Sequence, residues 1–443
     1  MKTEVYITIE QEKEKIVSKK AGMCKGLSCI ILLFLTIQLS PVLSFCQEPK
    51  KPVLDGTEGE VFEDTETSET KGKYAKWNYF DGPLTTLKLG GGFLYEVAAY
   101  SQDAESKEQF DLSTAFKVRD ARITLSGKFK FKREFTWKVG VMYDLVTEEW
   151  LIRETGIIIG VPELWGRFFI GRTKEGFSLN KVMNGYSGWM MERQMAIDII
   201  PILGDGVRWM GFLPKQHLFW DAGAYVNWLS KDQSFSTFNW QVALRAGWVP
   251  VNSDKTVLHF AFNGRYGEVE NGELQVRSRP EATPAPYFLD AGKIATDYTT
   301  HFGGEAYYRS GPLMMGSEIY IHNIHSPASD NPVFPGGEVF VSYIFTGETR
   351  PYYTSGNIFG FIDTKKSVFN GGTGTWEGIL RFSTLDLNDG LVTGGSFWRI
   401  TPQVNWYLSN NVRLELVYGY GVLNRFELMG GTHFFQSRIQ FML

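Results

Sequence analysis

The 443-residue sequence is long enough for two or three soluble domains or for one large all-β domain. It holds 33 Phe, 20 Tyr, 13 Trp and 47 Gly but only 17 Pro, and a mean hydropathy of −0.17 with a single long apolar run excludes a bundle of membrane helices. With 45 basic against 49 acidic side chains, a net charge of −4, nothing in the charge balance points to nucleic acid.

The apolar run comes first, CIILLFLTIQLSPVLSFC from Cys29 to Cys46, with lysines before it and the polar QEPKKPVLDG after it. It reads as a signal peptide, residues 1–46, cleaved after Cys46. Ser44 and Cys46 put small side chains at the two positions a signal peptidase inspects, and Met23 is an alternative start. A membrane anchor and a lipoprotein at Cys46 compete, the latter weakened by bulky Phe45. All three cysteines, Cys24, Cys29 and Cys46, lie in this leader. The mature chain is therefore expected to have no disulfide, thiolate metal site or cysteine nucleophile. Residues 1–46 hold six lysines and four glutamates, which leaves 39 basic against 45 acidic groups. Residues 47–83 follow as an expected flexible acidic segment, DGTEGEVFEDTETSETKGK having almost nothing to bury; a docking tail is the alternative.

From about residue 84 the pattern changes. Arg122, Thr124, Ser126, Lys128, Lys130 and Lys132 alternate with Ala121, Ile123, Leu125, Gly127, Phe129 and Phe131. Strand side chains point to opposite faces with period two, so this ribbon has a polar and an apolar face. The chain turns near Lys132-Arg133 and resumes with Phe135, Trp137, Val139 and Val141 against Thr136, Lys138, Gly140 and Met142. The same grammar recurs at 239–248, 396–408, 411–420 and 431–442. Sixteen strands are expected, at 84–101, 115–132, 134–146, 150–161, 164–173, 204–214, 217–230, 238–250, 255–268, 296–310, 312–323, 336–347, 374–386, 395–408, 411–422 and 431–442. The fourth and fifth alternate poorly.

Short turns such as Ser310-Gly311 and Ser409-Asn410 separate these strands, with long gaps at 174–203, 269–295 and 348–373. Short turns on one side and long loops on the other describe a transmembrane antiparallel β-barrel. A soluble β-sandwich is the competing reading. Against it stand strands of more than ten residues, aromatic strand ends, and a charged face that a core would not tolerate unpaired. We expect that face to line a water-filled lumen, and the even strand count removes both edges.

Enzyme signals are weak. His322 and His325, in HNIH, fall on opposite faces of a strand, so they make no metal pair, and Asn184-Gly185-Tyr186-Ser187-Gly188 does not fit a nucleophile elbow. No cofactor or metal is expected. The candidate pore-lining, anion-binding residues are Arg122, Lys128, Lys130, Lys138, Arg208, Arg245, Arg265, Arg381 and Arg399, because fixed cations along an aqueous path lower the entry barrier for anions. Carboxylates such as Asp120, Asp221, Glu305, Glu318, Glu377 and Glu415 share that face, so a nonspecific pore of paired charges stays open. The apolar loop at 174–203 is expected to fold inward as a constriction, bringing Lys174, Phe177, Ser178, Lys181, Glu192 and Arg193 to the path; packing among surface loops is its alternative.

Gly171-Arg172-Thr173-Lys174-Glu175-Gly176-Phe177-Ser178-Leu179 followed by Met191-Glu192-Arg193 resembles the phosphate-selective porin O and P family. So do Gly347-Glu348-Thr349-Arg350-Pro351-Tyr352, Gly374-Thr375-Trp376-Glu377 with Arg381-Phe382-Ser383, and Asn405-Trp406-Tyr407-Leu408. The resemblance spans about 84–443. It implies a sixteen-stranded outer-membrane barrel of a Gram-negative bacterium, a homotrimer, an inward loop, and passive diffusion of small anions. Lys174, Phe177, Ser178, Glu192, Arg193, Glu348, Arg350, Glu377 and Arg381 match its motif positions. The many luminal carboxylates and the Phe441-Met442-Leu443 end depart from it. A non-transporting barrel adhesin and a barrel-embedded hydrolase are the other function classes.

Overall fold

A computed structural model describes residues 77–144, 149–229 and 238–443; the 1–46 leader and nearly all of the 47–83 segment lie outside them. Sixteen strands form the wall. They are β1 (Thr86–Gln102), β2 (Ala115–Lys128), β3 (Phe135–Asp144), β4 in two pieces (Glu149–Ile152 and Thr155–Val161), β5 (Gly166–Lys174), β6 (Leu203–Leu213), β7 (Leu218–Val226) and β8 (Phe238–Asn252). The rest are β9 (Thr256–Val269), β10 (Tyr298–Ser310), β11 (Leu313–His325), β12 (Val333–Ile344), β13 (Thr375–Asp389), β14 (Val392–Tyr407), β15 (Val412–Arg425) and β16 (Leu428–Met442). Each pairs antiparallel with the next, and β16 returns to β1 from Gly92↔Met442 to Gln102↔Thr432. The sheet is closed, so no row of backbone donors and acceptors is left unpaired toward lipid.

Period-two patterning sets the two faces. Phe116, Ile123, Phe262, Ile319, Leu380 and Leu416 point out and are exposed, as lipid-facing side chains are. Alternation failed at the fourth strand because β4 is bulged. Between Lys138↔Gly156 and Val141↔Ile152, β3 has two residues and β4 has three. A second bulge in β2, between Leu94↔Asp120 and Tyr95↔Val118, adds Arg119. A bulge gives the strand one unpaired residue and re-aims its side chain. Alternation is weak at the end of β5 because Arg172 is buried against Asp205 of β6, 2.8 Å away, whose other oxygen accepts the Leu229 N–H.

Two expectations need correction. β1 starts and β16 finishes at the same end of the barrel, because sixteen antiparallel strands return to their start. The connections there are short at 162–165, 214–217, 253–255, 311–312 and 408–411, but the 30-residue segment 345–374 is there too. The long segments 175–202 and 270–297 are at the opposite end. Long and short connections are thus not cleanly sorted. The inner face is also not simply wet. Phe334, Leu385, Leu387, Phe397, Leu423 and Phe434 point inward and pack on Leu274, Val276, Ala285, Phe288 and Leu289 of the 270–297 segment and on Ile197, Ile199 and Ile200. A second apolar group joins Leu179, Val182, Trp189 and Met190 to Tyr307, Phe340, Phe359 and Ile379. A charged face can carry a core when long segments bring apolar side chains to its gaps and carboxylates to its arginines.

Candidate functional site

The inner wall has two kinds of basic side chain. On β6 through β16 they are buried and matched. Arg208 makes a two-pronged pair with Asp221 at 2.7 and 2.5 Å. Arg245 reaches Glu305 at 2.9 Å and lies 4.9 Å from the Phe219 ring centre. Arg265 holds Glu175 of the 175–202 segment at 2.6 Å. Arg381 pairs with Glu281 and, at 3.3 Å, with Glu338. Arg399 donates to the carbonyl of Pro280 and to Gln436, both at 2.6 Å. Arg350 takes Glu377 at 2.9 Å and also donates to the Ser187 carbonyl. A charge held this way costs several kcal/mol to desolvate, so each partner is needed to keep it there.

These groups tie down the long segments. The short helix α1 (Leu179–Val182) is capped by Ser178, whose hydroxyl accepts the Lys181 N–H and donates to Glu318 at 2.6 Å. Ser178 has φ +70°, a backbone position unfavourable for any residue with a Cβ, held by those contacts. The Leu179 N–H donates to Glu305 at 2.8 Å, and Asn180 donates to Glu318 at 2.9 Å and Glu338 at 2.6 Å. Farther along, Gln403, Asn405, Arg413 and Gln440 donate to the carbonyls of Trp189, Gly188 and Tyr186. Glu192 meets Arg119 at 3.1 Å, Thr283 at 3.0 Å and Arg438. Burial alone would raise its carboxyl, but Arg119 and Arg438 outweigh that and hold it below the usual carboxylate range. From the end where β1 starts and β16 finishes, Tyr352 bonds His259 at 2.8 Å, and Arg245 donates to the Asn357 carbonyl.

On β2 through β4 the basic groups are less enclosed. The Arg122 and Lys138 side chains keep 15% and 12% of their surface, paired with Asp120 at 2.5 Å and Glu154 at 3.2 Å, and Arg119 keeps 36%. Lys117 is half-buried beside them, and the bulge brings in Arg153 and Glu154. Sequence alternation missed Lys117, Arg119 and Arg153, because a bulge shifts the parity on which it relies.

The other candidates spread out. Lys128 ends β2 and is exposed; Lys130 lies past the strand end and pairs with Asp81 at 2.7 Å. Lys174 donates to the Val182 and Met183 carbonyls at the end of α1. Phe177 is buried against Tyr320, Lys181 is buried with Glu175 at 3.5 Å, and Arg193 donates to the Asn180 carbonyl. Glu348 accepts from Thr375 at 3.0 Å. His322 points in, 2.8 Å from His301 Nδ1, and His325 stacks on Tyr298 at the other face.

A closed barrel of this strand number with inner basic groups invites comparison with known proteins. A family model for phosphate-selective porin O and P matches residues 87–441. The chain belongs to that family.

The porin sits in the outer membrane of a Gram-negative bacterium, and its family points to a channel. An uncharacterized protein of Caulobacter vibrioides is 32% identical over 169 residues, 37% of this chain and 34% of that protein. The match thus spans about a third of that relative's length. Among solved structures, a loop-deletion mutant of OmpT from Vibrio cholerae aligns at TM-score 0.53 and 12% identity, over 81% of this chain and all of the other. Salmonella typhi OmpF aligns at 0.53 and 11%, over 82% and 100%. An anion-selective porin from Comamonas acidovorans aligns at 0.50 and 9%, over 81% and 100%. At such identities these likenesses carry the barrel fold.

Proposed function

We propose that the porin passes small hydrophilic anions, phosphate among them, by passive diffusion along the β2–β4 side of its lumen. The carrying observation is the unequal enclosure of the inner basic groups. Arg119, Arg122 and Lys138 keep contact with solvent, while Arg208, Arg245, Arg265, Arg381 and Arg399 are sealed against carboxylates and carbonyls. Only a cation that water reaches can bias a permeating ion. In this reading the 175–202 segment narrows the bore and directs solute toward β2–β4, and Lys117 and Arg153 add positive potential to that wall. The family name favours an anion bias, and a homotrimer is the expected assembly, with outer-membrane lipid and small anions as partners. No cofactor is required.

The apolar packing within the barrel favours one second reading, a barrel that does not conduct and serves at the surface. Planar-bilayer recording separates the two. The porin reading expects stepwise currents and a reversal potential of anion sign under a salt gradient, reduced by added phosphate; the absence of steps from correctly folded protein sinks it.

A further inference from the structure

The connection from β2 to β3 has an unusual make-up, Lys128-Phe129-Lys130-Phe131-Lys132-Arg133-Glu134-Phe135, and extends past the barrel at the end where β1 starts and β16 finishes. Phe129, Phe131 and Phe135 alternate with the outward set of their strands. Their rings form one cluster, Phe129 stacked on Phe131 at 5.2 Å and both edge-on to Phe135 at 5.2 and 5.9 Å. Phe131 is 54% exposed, and Phe80, Leu84 and Trp165 nearby at this end are exposed as well. The cluster thus continues the lipid-facing belt to its lower edge.

The cations stand at the same level. Lys132 is exposed and has no carboxylate partner among the described residues. Lys130 is held by one surface pair with Asp81 at 2.7 Å, both about half exposed, and a single exposed pair of this kind contributes little and exchanges partners readily. Arg133 is held more firmly, by a two-pronged pair with Glu163 at 2.7 and 3.1 Å and by the Gly160 carbonyl at 3.1 Å. Rings at the acyl boundary with long cationic side chains at the turn tip are the arrangement in which lysine and arginine reach up to headgroup phosphates. Lys128 shares the parity of Lys130 and Lys132 but is the last residue of β2, back from the turn tip, and does not belong to this set.

We propose that this turn binds the phosphodiester headgroup of an anionic phospholipid in the periplasmic leaflet. The three rings rest on the acyl chains, while Lys132, with Lys130 released from Asp81 and the Arg133 charge beside them, contacts the phosphate. The site is outside the lumen, so it stands whether or not the pore reading holds. All connections at this end but 345–374 are short, and short connections mark the periplasmic side of such barrels, which puts this turn against phospholipid rather than against the outer leaflet.

The test is native mass spectrometry of the detergent-extracted protein after exchange into bicelles with phosphatidylglycerol and phosphatidylcholine at equal mole fraction. The wild type should retain phosphatidylglycerol in excess. Lys130→Gln with Lys132→Gln and Arg133→Gln should lower that excess by about fivefold per cation in contact, while Lys128→Gln leaves it unchanged. Lys132→Gln alone, at an exposed position, covers the case in which the triple variant folds poorly, with folding read from heat-dependent gel mobility. An unchanged excess in both variants overturns the proposal. So does displacement of the lipid by inorganic phosphate at equal concentration, which marks a simple phosphate site, or variants that lose only binding to isolated peptidoglycan.

Discussion

Two stretches of one wall use the same residue type in opposite ways. On β6–β16 an arginine is a fastener. Arg245 holds Glu305, which in turn accepts the Leu179 N–H of one long segment, while Arg245 itself grips the Asn357 carbonyl of another. On β2–β4, Arg122 and Lys138 have one carboxylate each and keep a face toward solvent. The difference shows that the inward position of a cation does not decide its role. What decides it is how completely neighbouring strands and the long segments together enclose it.

The largest effect should come from breaking a fastener. Glu305→Gln leaves Arg245 and His259 buried without their anion and weakens the anchor of α1, so it should cost about 3–5 kcal/mol. A lower thermal unfolding midpoint in detergent and faster proteolysis within 175–202 would register it; an unchanged midpoint would mean that the pair is not a fastener. On the other stretch stability should hardly move, but selectivity should. Arg122→Gln with Lys138→Gln removes two charges that each act on an ion about 10 Å away through water, about 0.4 kcal/mol apiece. Anion permeability should then fall about fourfold and cation permeability rise by about as much, so the anion/cation ratio should fall about sixteenfold, read from the reversal potential. Lys128→Gln, at the rim and largely screened beyond about 10 Å in 0.1 M salt, should change it less than twofold.

A smaller effect sharpens the contact between the two long segments at the far end. Burial lifts the Asp198 carboxyl to about 7, against the hydrogen bond from the Ser278 hydroxyl and the pull of Arg279, with Glu192 pushing the same way as burial. Its proton is therefore held more tightly in the folded protein than in the unfolded chain. The stabilisation this adds is full below about pH 4 and is lost as pH rises through about 7. Amide exchange at 195–200 should quicken across that range, and Asp198→Asn should flatten the response.

The period-two grammar made most of the fold legible. Sixteen strands, their faces and even the opposed sides of His322 and His325 follow from alternation, because an antiparallel wall with lipid outside and polar groups inside leaves that mark at every second residue. The rest was not legible for a local reason. Phe434 and Leu385 sit among polar neighbours on the inward register, and nothing in their own strands tells that Phe288 and Leu289 will come to cover them. Arg245 and Glu305 are 60 residues apart, so alternation gives their face but not their pairing. The bulges at Arg119 and at Arg153-Glu154 shift parity where the less enclosed cations lie. The long gaps announced themselves, but not that 345–374 enters from the end where β1 starts and β16 finishes.

Because residues 84–443 contain no cysteine, water access along the inner wall can be probed one position at a time. Single cysteines at Thr124 and Lys138, on the open stretch, and at Asn263 and Thr401, on the sealed one, would be treated in the folded, bilayer-inserted protein with a charged water-soluble methanethiosulfonate while current is recorded. Rapid modification with reduced conductance at 124 and 138, and none at 263 and 401, is the predicted result. Equal reaction on both stretches, or reaction only at 263 and 401, would contradict it.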